Sequence, residues 1–168
     1  MDNNFLFSDE KIITIEQIHN HQNDRVYAAN LQSIDPNVKF VTRRQGPLSV
    51  MVWAGICSTG KTPLVFIEKG VKIHQEVYQS KILENVLLPW SQTHFGNQRW
   101  IFQQDSAPSH RAKLTVEWLR KNVPDFITPQ EWPPYSPDLN PMDFSIWSIL
   151  RSKACSTSHT SLETQKNH

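Results

Sequence analysis

Residues 100–124 read WIFQQDSAPSHRAKLTVEWLRKNVP, and the class of fold turns on this stretch. Trp100, Ile101 and Phe102 are β-formers in a short apolar run that stops at Gln103-Gln104-Asp105, the pattern of a buried strand ending in a carboxylate. Beyond Ser106-Ala107-Pro108-Ser109, the residues Ala112, Val116, Leu119 and Val123 recur at helical spacing until Pro124 stops the run. A strand, a short turn and an amphipathic helix in succession mark a mixed α/β domain.

Working outward, Phe126-Ile127-Thr128 predicts a brief strand, and EWPPYSPDLNP at 131–141 a rigid turn. A last helix starts there, with Asn140 suited to its cap, Pro141 to its first position, and Met142, Ile146, Ile149 and Leu150 to its apolar face. From Ser152 the chain is polar and aperiodic, so residues 152–168 are expected to fray. Upstream, Val77, Ile82, Val86 and Leu87 predict a helix over 74–88, ended by Pro89. LSVMVWAGI at 48–56 and PLVFIEKG at 63–70 predict a hairpin turning near Gly60. Phe5, Leu6 and Phe7 form a first strand that ends at Ser8-Asp9-Glu10, and residues 11–47 read as irregular with one or two weak strands. The order strand, hairpin, helix, strand, helix, strand, helix puts helices over a central sheet.

The 168 residues fit one domain, residues 1–151, with no room for a second of ordinary size. Hydrophobic residues at 38% and charges of both signs argue against a disordered or membrane chain, and a net charge of +1 removes the easy argument for a nucleic-acid partner. Cys57 and Cys155 have no metal-ligand spacing around them, and the amino terminus lacks a basic segment followed by a long apolar run. A reduced, intracellular setting is expected.

Three acids stand where this order of elements could gather them: Asp9 and Asp105 at strand ends, and Asp143 in the first turn of the last helix. Three carboxylates in one place repel unless a cation neutralises them, and Mg²⁺ held by carboxylates supports displacement at phosphorus. Each also has a plain structural reading: a solvated strand-end acid, a cap for the following helix, and a third-position acid favouring the helix dipole.

The local contexts add to this. FSDEK around Asp9, IFQQDSAPSH around Asp105 and WPPYSPDLNPMDF around Asp143 together resemble the catalytic domain of mariner-type transposases of the mariner/Tc superfamily. The resemblance runs from about Asn4 to Leu150, with VMVWAGICSTGK at 50–61 fitting the family's hairpin. It implies an RNase H-like fold, a five-stranded mixed sheet flanked by helices, in which Asp9, Asp105 and Asp143 are catalytic and bind two Mg²⁺ or Mn²⁺ ions. It implies cleavage of DNA phosphodiesters at transposon ends and strand transfer to target DNA, a homodimer, work in the nucleus, and neither a membrane nor a small-molecule substrate.

The 37 residues separating Asp105 from Asp143, residues 106–142, make a longer gap than in the best-known mariner elements, so the chain looks like a sister lineage. Family members carry helix-turn-helix modules ahead of the first aspartate, whereas eight residues precede it here. The chain thus looks like a catalytic domain without those modules. Two other readings stand beside this one: an inactive or domesticated remnant that binds DNA or protein, and a plain RNase H-like nuclease.

Around the acids, Glu10 should point to the opposite face from Asp9 and reads as a surface acid or as one that supports the site from behind. His110 is either a helix-surface histidine or a group approaching metal or phosphate, while Asp138 and Asn140 aim the last helix and so Asp143. Arg43, Arg44, His110 and Arg111 are the candidate DNA contacts. Trp53 and Trp100 read as core, and Trp132 as core or a stacking surface.

Overall fold

A computed structural model describes residues 4–14, 27–34, 49–68, 70–133 and 136–154. Arg43, Arg44 and residues 155–168 lie outside them.

The sheet has five strands: β1 (Asn4–Thr14), β2 (Ser49–Cys57), β3 (Gly60–Lys61), β4 (Val65–Ile67) and β5 (Trp100–Gln103). Their order is β3-β2-β1-β5, and β4 also pairs with β2. The hairpin forms as expected, with Cys57 opposite Gly60, and Val65, Phe66 and Ile67 resume pairing along β2. Between the two short strands, Thr62 caps the interruption: its amide donates to the Gly55 carbonyl at 2.9 Å, and its hydroxyl accepts from the Gly55 amide at 2.8 Å.

The first strand is longer than its apolar run suggests. It does not end at Glu10 but continues through Thr14, because Lys11–Thr14 pair antiparallel with Ser49–Val52 of β2. Parallel pairing with β5 covers only Asn4–Phe7. Asp9 therefore sits inside a strand, yet two residues past the last of its partners in β5. The strand expected at 126–128 reduces to one parallel bridge, Phe102 with Phe126, closed by two backbone hydrogen bonds of 2.9 Å.

The helix expected over 74–88 runs on to residue 95; the whole of 75–95 is α1. Its middle, Tyr78–Leu87, is wound in wide turns, with the Leu88 amide reaching back to Leu83. Pro89 does not end it, because the proline falls at the start of the narrower segment Leu88–Phe95, where a missing N–H is tolerated. Gly96 closes the helix at φ 56°, a left-handed conformation that suits glycine. Helix α2 is Lys113–Asn122; of the expected stripe Leu119 and Val123 are buried, whereas Ala112 and Val116 are half-buried and Thr115 is buried in addition. Helix α3 spans 142–154, three residues past the expected start of the frayed tail.

Both faces of the sheet are covered, which is why β2 reads as a continuous apolar run. On one side Leu6, Trp53, Trp100 and Phe102 pack with Tyr78, Ile82, Leu83 and Leu87 of α1 and Leu119 of α2. On the other, Ile13, Val50, Val52 and Ala54 pack with Met142 and Trp147 of α3. Trp53 and Trp100 are core, as expected.

Candidate metal centre

The alternation of β1 sends neighbouring acids to opposite faces of the sheet. Asp9 faces α3, where its Oδ2 accepts a 2.6 Å hydrogen bond from the Trp147 indole N–H. The carboxyl group is buried, and its pKa is pushed up to about 7. Burial is the first cause, the Asp143 charge the second, and Glu10 adds to them; the Trp147 hydrogen bond pulls the other way.

Asp143 is carried on the first turn of α3, and the turn before it is fixed by Asn140. The buried Asn140 amide donates to the Ser8 carbonyl at 3.1 Å, while its Oδ1 accepts from the Met142 amide at 3.0 Å. One side chain both caps α3 and ties it to the residue preceding Asp9. Asn140→Ala is expected to destabilise the fold by about 1–2 kcal/mol, lowering the thermal midpoint by several degrees in a melting experiment. Asp138 is exposed in the Pro137–Leu139 turn, with no such tie. Lys11 Nζ stands 3.6 Å from Asp143 Oδ1, both side chains partly exposed.

Asp105 lies just beyond β5. Its Oδ1 accepts from the Ala107 amide at 2.9 Å and from His110 Nδ1 at 2.6 Å. Burial alone would raise its pKa, but the hydrogen bond and charge of His110, with the Ala107 amide, outweigh it and hold the carboxyl below its ordinary range. The other nitrogen of His110, Nε2, lies 3.1 Å from Glu10 Oε1. Burial works against the imidazolium, yet Glu10 and Asp105 prevail and its pKa rises to about 10. Glu10, Asp105 and His110 form a group whose ligand-type atoms all lie within 4.8 Å of one another.

Asp105 and Asp143 share a cavity of about 470 Å³ with Ser106, Arg111, Trp132 and Asn140. The donor chemistry fits a hard divalent cation. Asp9 and Asp143 repel each other, and Asp105 keeps Oδ2 clear of any hydrogen bond among the described residues.

Not every expectation holds. His110 precedes α2 and its side chain is only 3% exposed, with both ring nitrogens facing carboxylates, so it offers no edge to a DNA phosphate. Glu10 takes the second of its two expected places, as a 15% exposed partner of His110 behind Asp105. Trp132 is half-buried on the cavity wall rather than in the core, and Arg111 is exposed beside it. The link from Glu10 to His110 spans 100 residues, and no local pattern announces it. The one signal was the histidine itself, five residues after Asp105.

The family model described as "DDE superfamily endonuclease" matches residues 5–166. The Tcb2 transposase of Caenorhabditis briggsae is 37% identical over 109 residues, 65% of this chain and 37% of that protein. The Tc3 transposase of Caenorhabditis elegans is 30% identical over 145 residues, 86% of this chain and 40% of its own length. The matches thus span about two fifths of these relatives. Among solved structures, the Mos1 transposase paired-end complex with left transposon end superposes with a TM-score of 0.76 at 21% identity, covering 97% of this chain and 45% of that one. The catalytic domain of Mos1 mariner transposase gives 0.67 at 20% identity, covering 97% and 66%. The sheet and its covering helices are the expected RNase H-like fold.

Proposed function

Because the chain belongs to the DDE superfamily endonuclease family, we propose that it is the catalytic domain of a Tc1/mariner-type transposase whose metal-bearing residues are Asp9, Asp105 and Asp143. The arrangement that supports this reading is Asp105 and Asp143 lining one cavity, with Asp9 on β1 facing the helix that carries Asp143 and its carboxyl pushed up by burial and by the Asp143 charge.

The ions are Mg²⁺ or Mn²⁺, two of them, and when bound they supply charge neutralisation and a polarised oxygen nucleophile at phosphorus. Support comes from the relatives: solved Mos1 paired-end complexes are described with Mn and with Mg. The chain's own residues do the positioning. Trp147 holds Asp9 by Oδ2, Ala107 and His110 hold Asp105 by Oδ1, and Asn140 fixes the turn that aims Asp143. Arg111, on the rim of the cavity, meets a DNA phosphate, and Trp132 forms the wall beside it. In the step itself a water or DNA 3′-hydroxyl oxygen bonds to phosphorus as the bond to the leaving oxygen breaks in line. The proton of the nucleophile passes to solvent.

The substrates are transposon-end DNA and target DNA, and the working form is a homodimer in the nucleus; a Mos1 complex with a transposon end is among the structural relatives. Binding of DNA through phosphate contacts should weaken steeply as salt is raised. Incubating the chain with labelled end DNA and Mn²⁺ should produce nicks that EDTA prevents. Absence of nicks at every metal concentration rejects the reading.

A further inference from the structure

We infer that Glu10, acting through His110, is a positioning residue that locks Asp105 so that only Oδ2 faces the metal; the inference rests on the metal reading above. Neighbouring residues of β1 thus have divided work. Asp9 turns to the face covered by α3, where it meets Trp147, and Glu10 turns to the other to reach His110 in the segment after Asp105.

The geometry of the link is complete. His110 stands between two carboxylates, 2.6 Å from Asp105 Oδ1 and 3.1 Å from Glu10 Oε1, so that each ring nitrogen faces a carboxylate oxygen. Asp105 Oδ1, already holding the Ala107 amide, has both of its acceptor directions filled, which leaves Oδ2. Tyr78 packs its ring 4.2 Å from that of His110 and donates its hydroxyl to Gln104 Oε1 at 2.6 Å. Gln104 in turn donates to the His110 carbonyl at 3.4 Å. The imidazole is therefore gripped at its face, its backbone and both edges, whereas the Asp105 side chain it steadies is 46% exposed and without it keeps the Ala107 amide as its one hydrogen bond among the described residues. Partners that orient metal-bearing carboxylates typically change metal affinity or activity by roughly 10- to 100-fold when removed.

The test is calorimetric titration of Mn²⁺ into the 168-residue chain, which needs no turnover. His110→Ala is expected to weaken Mn²⁺ binding about tenfold or more, and His110→Asn, whose amide can still donate to Asp105, to recover most of it. Glu10→Gln should weaken binding several-fold, and the loss should persist at high salt. Charge alone predicts otherwise: removing the imidazolium would tighten cation binding, and the loss from removing Glu10 would fade as salt screens it. Either of those results overturns the inference, as does unchanged binding in both variants. Should His110→Ala fail to melt cooperatively, the salt series on Glu10→Gln decides alone. DNA binding measured in EDTA should be unaffected by His110→Ala and weakened by Arg111→Ala; a loss with His110→Ala assigns that residue to DNA instead. A wild-type chain that takes up no Mn²⁺ rejects the metal reading itself, a result distinct from wild-type binding that the variants do not alter.

Discussion

Asp105→Asn is expected to lower metal-dependent DNA nicking by at least roughly 10³-fold while leaving the thermal midpoint within a few degrees of wild type. The amide has the shape of the carboxylate, and its oxygen can keep both hydrogen bonds that now reach Oδ1, from Ala107 and from His110. In place of Oδ2 it carries an NH₂ group, which donates and cannot ligate a cation. The change therefore removes one metal-facing oxygen and one negative charge and little else. Its effect belongs to chemistry rather than folding, because Asp105 is half exposed and the amide can keep its hydrogen bonds. A single-turnover nicking assay at saturating DNA measures it. Activity within tenfold of wild type would sink the assignment of Asp105.

Asp9→Asn should have the opposite signature on stability. In the folded chain the Asp9 pKa is about 7, above its ordinary value of 3.8, so the unfolded chain gives up this proton first as pH rises. Stability is then lost between about pH 4 and pH 7, and above that window the ionised carboxylate costs the metal-free fold a few kcal/mol, of order the shift itself. Asparagine cannot ionise, and its Oδ1 can still accept from the Trp147 indole. At pH 8 without metal the variant should melt roughly 5–10 °C above wild type, whereas near pH 4 the two should converge. Mg²⁺ should raise the wild-type midpoint and leave the variant's unmoved. His110 contributes in a different window: its raised pKa stabilises the fold fully below pH 6.5, and that contribution is lost as pH climbs through about 10. That slope should survive in Asp9→Asn. Equal midpoints for the two proteins at pH 8 would show that Asp9 bears no such penalty.

Much of the architecture is visible in local pattern. The strand at 100–103, the hairpin at 49–67 and the start of the last helix at Asn140 each carry their own signal of apolar runs, turn residues or caps, and each forms. Elements whose limits depend on a neighbour are less visible. Lys11–Thr14 form strand because β2 lies alongside to pair with them, and Pro89 rides inside a helix because the wide turns before it end there. Neither cause is written in the residues themselves.

The site divides in the same way. The identities and order of Asp9, Asp105 and Asp143, and the sequence contexts that resemble mariner-type transposases, are properties of the chain read end to end. Chemistry and family could be inferred from them because short motifs keep their residues in register. What folding alone decided is how each acid is held: Asp9 buried with its Oδ2 on the Trp147 indole, Asp105 tied to His110, and Glu10 brought 100 residues along the chain to complete the link. Those outcomes depend on burial and on distances of a few ångströms between charges. Such quantities exist only once sheet and helices have closed around them.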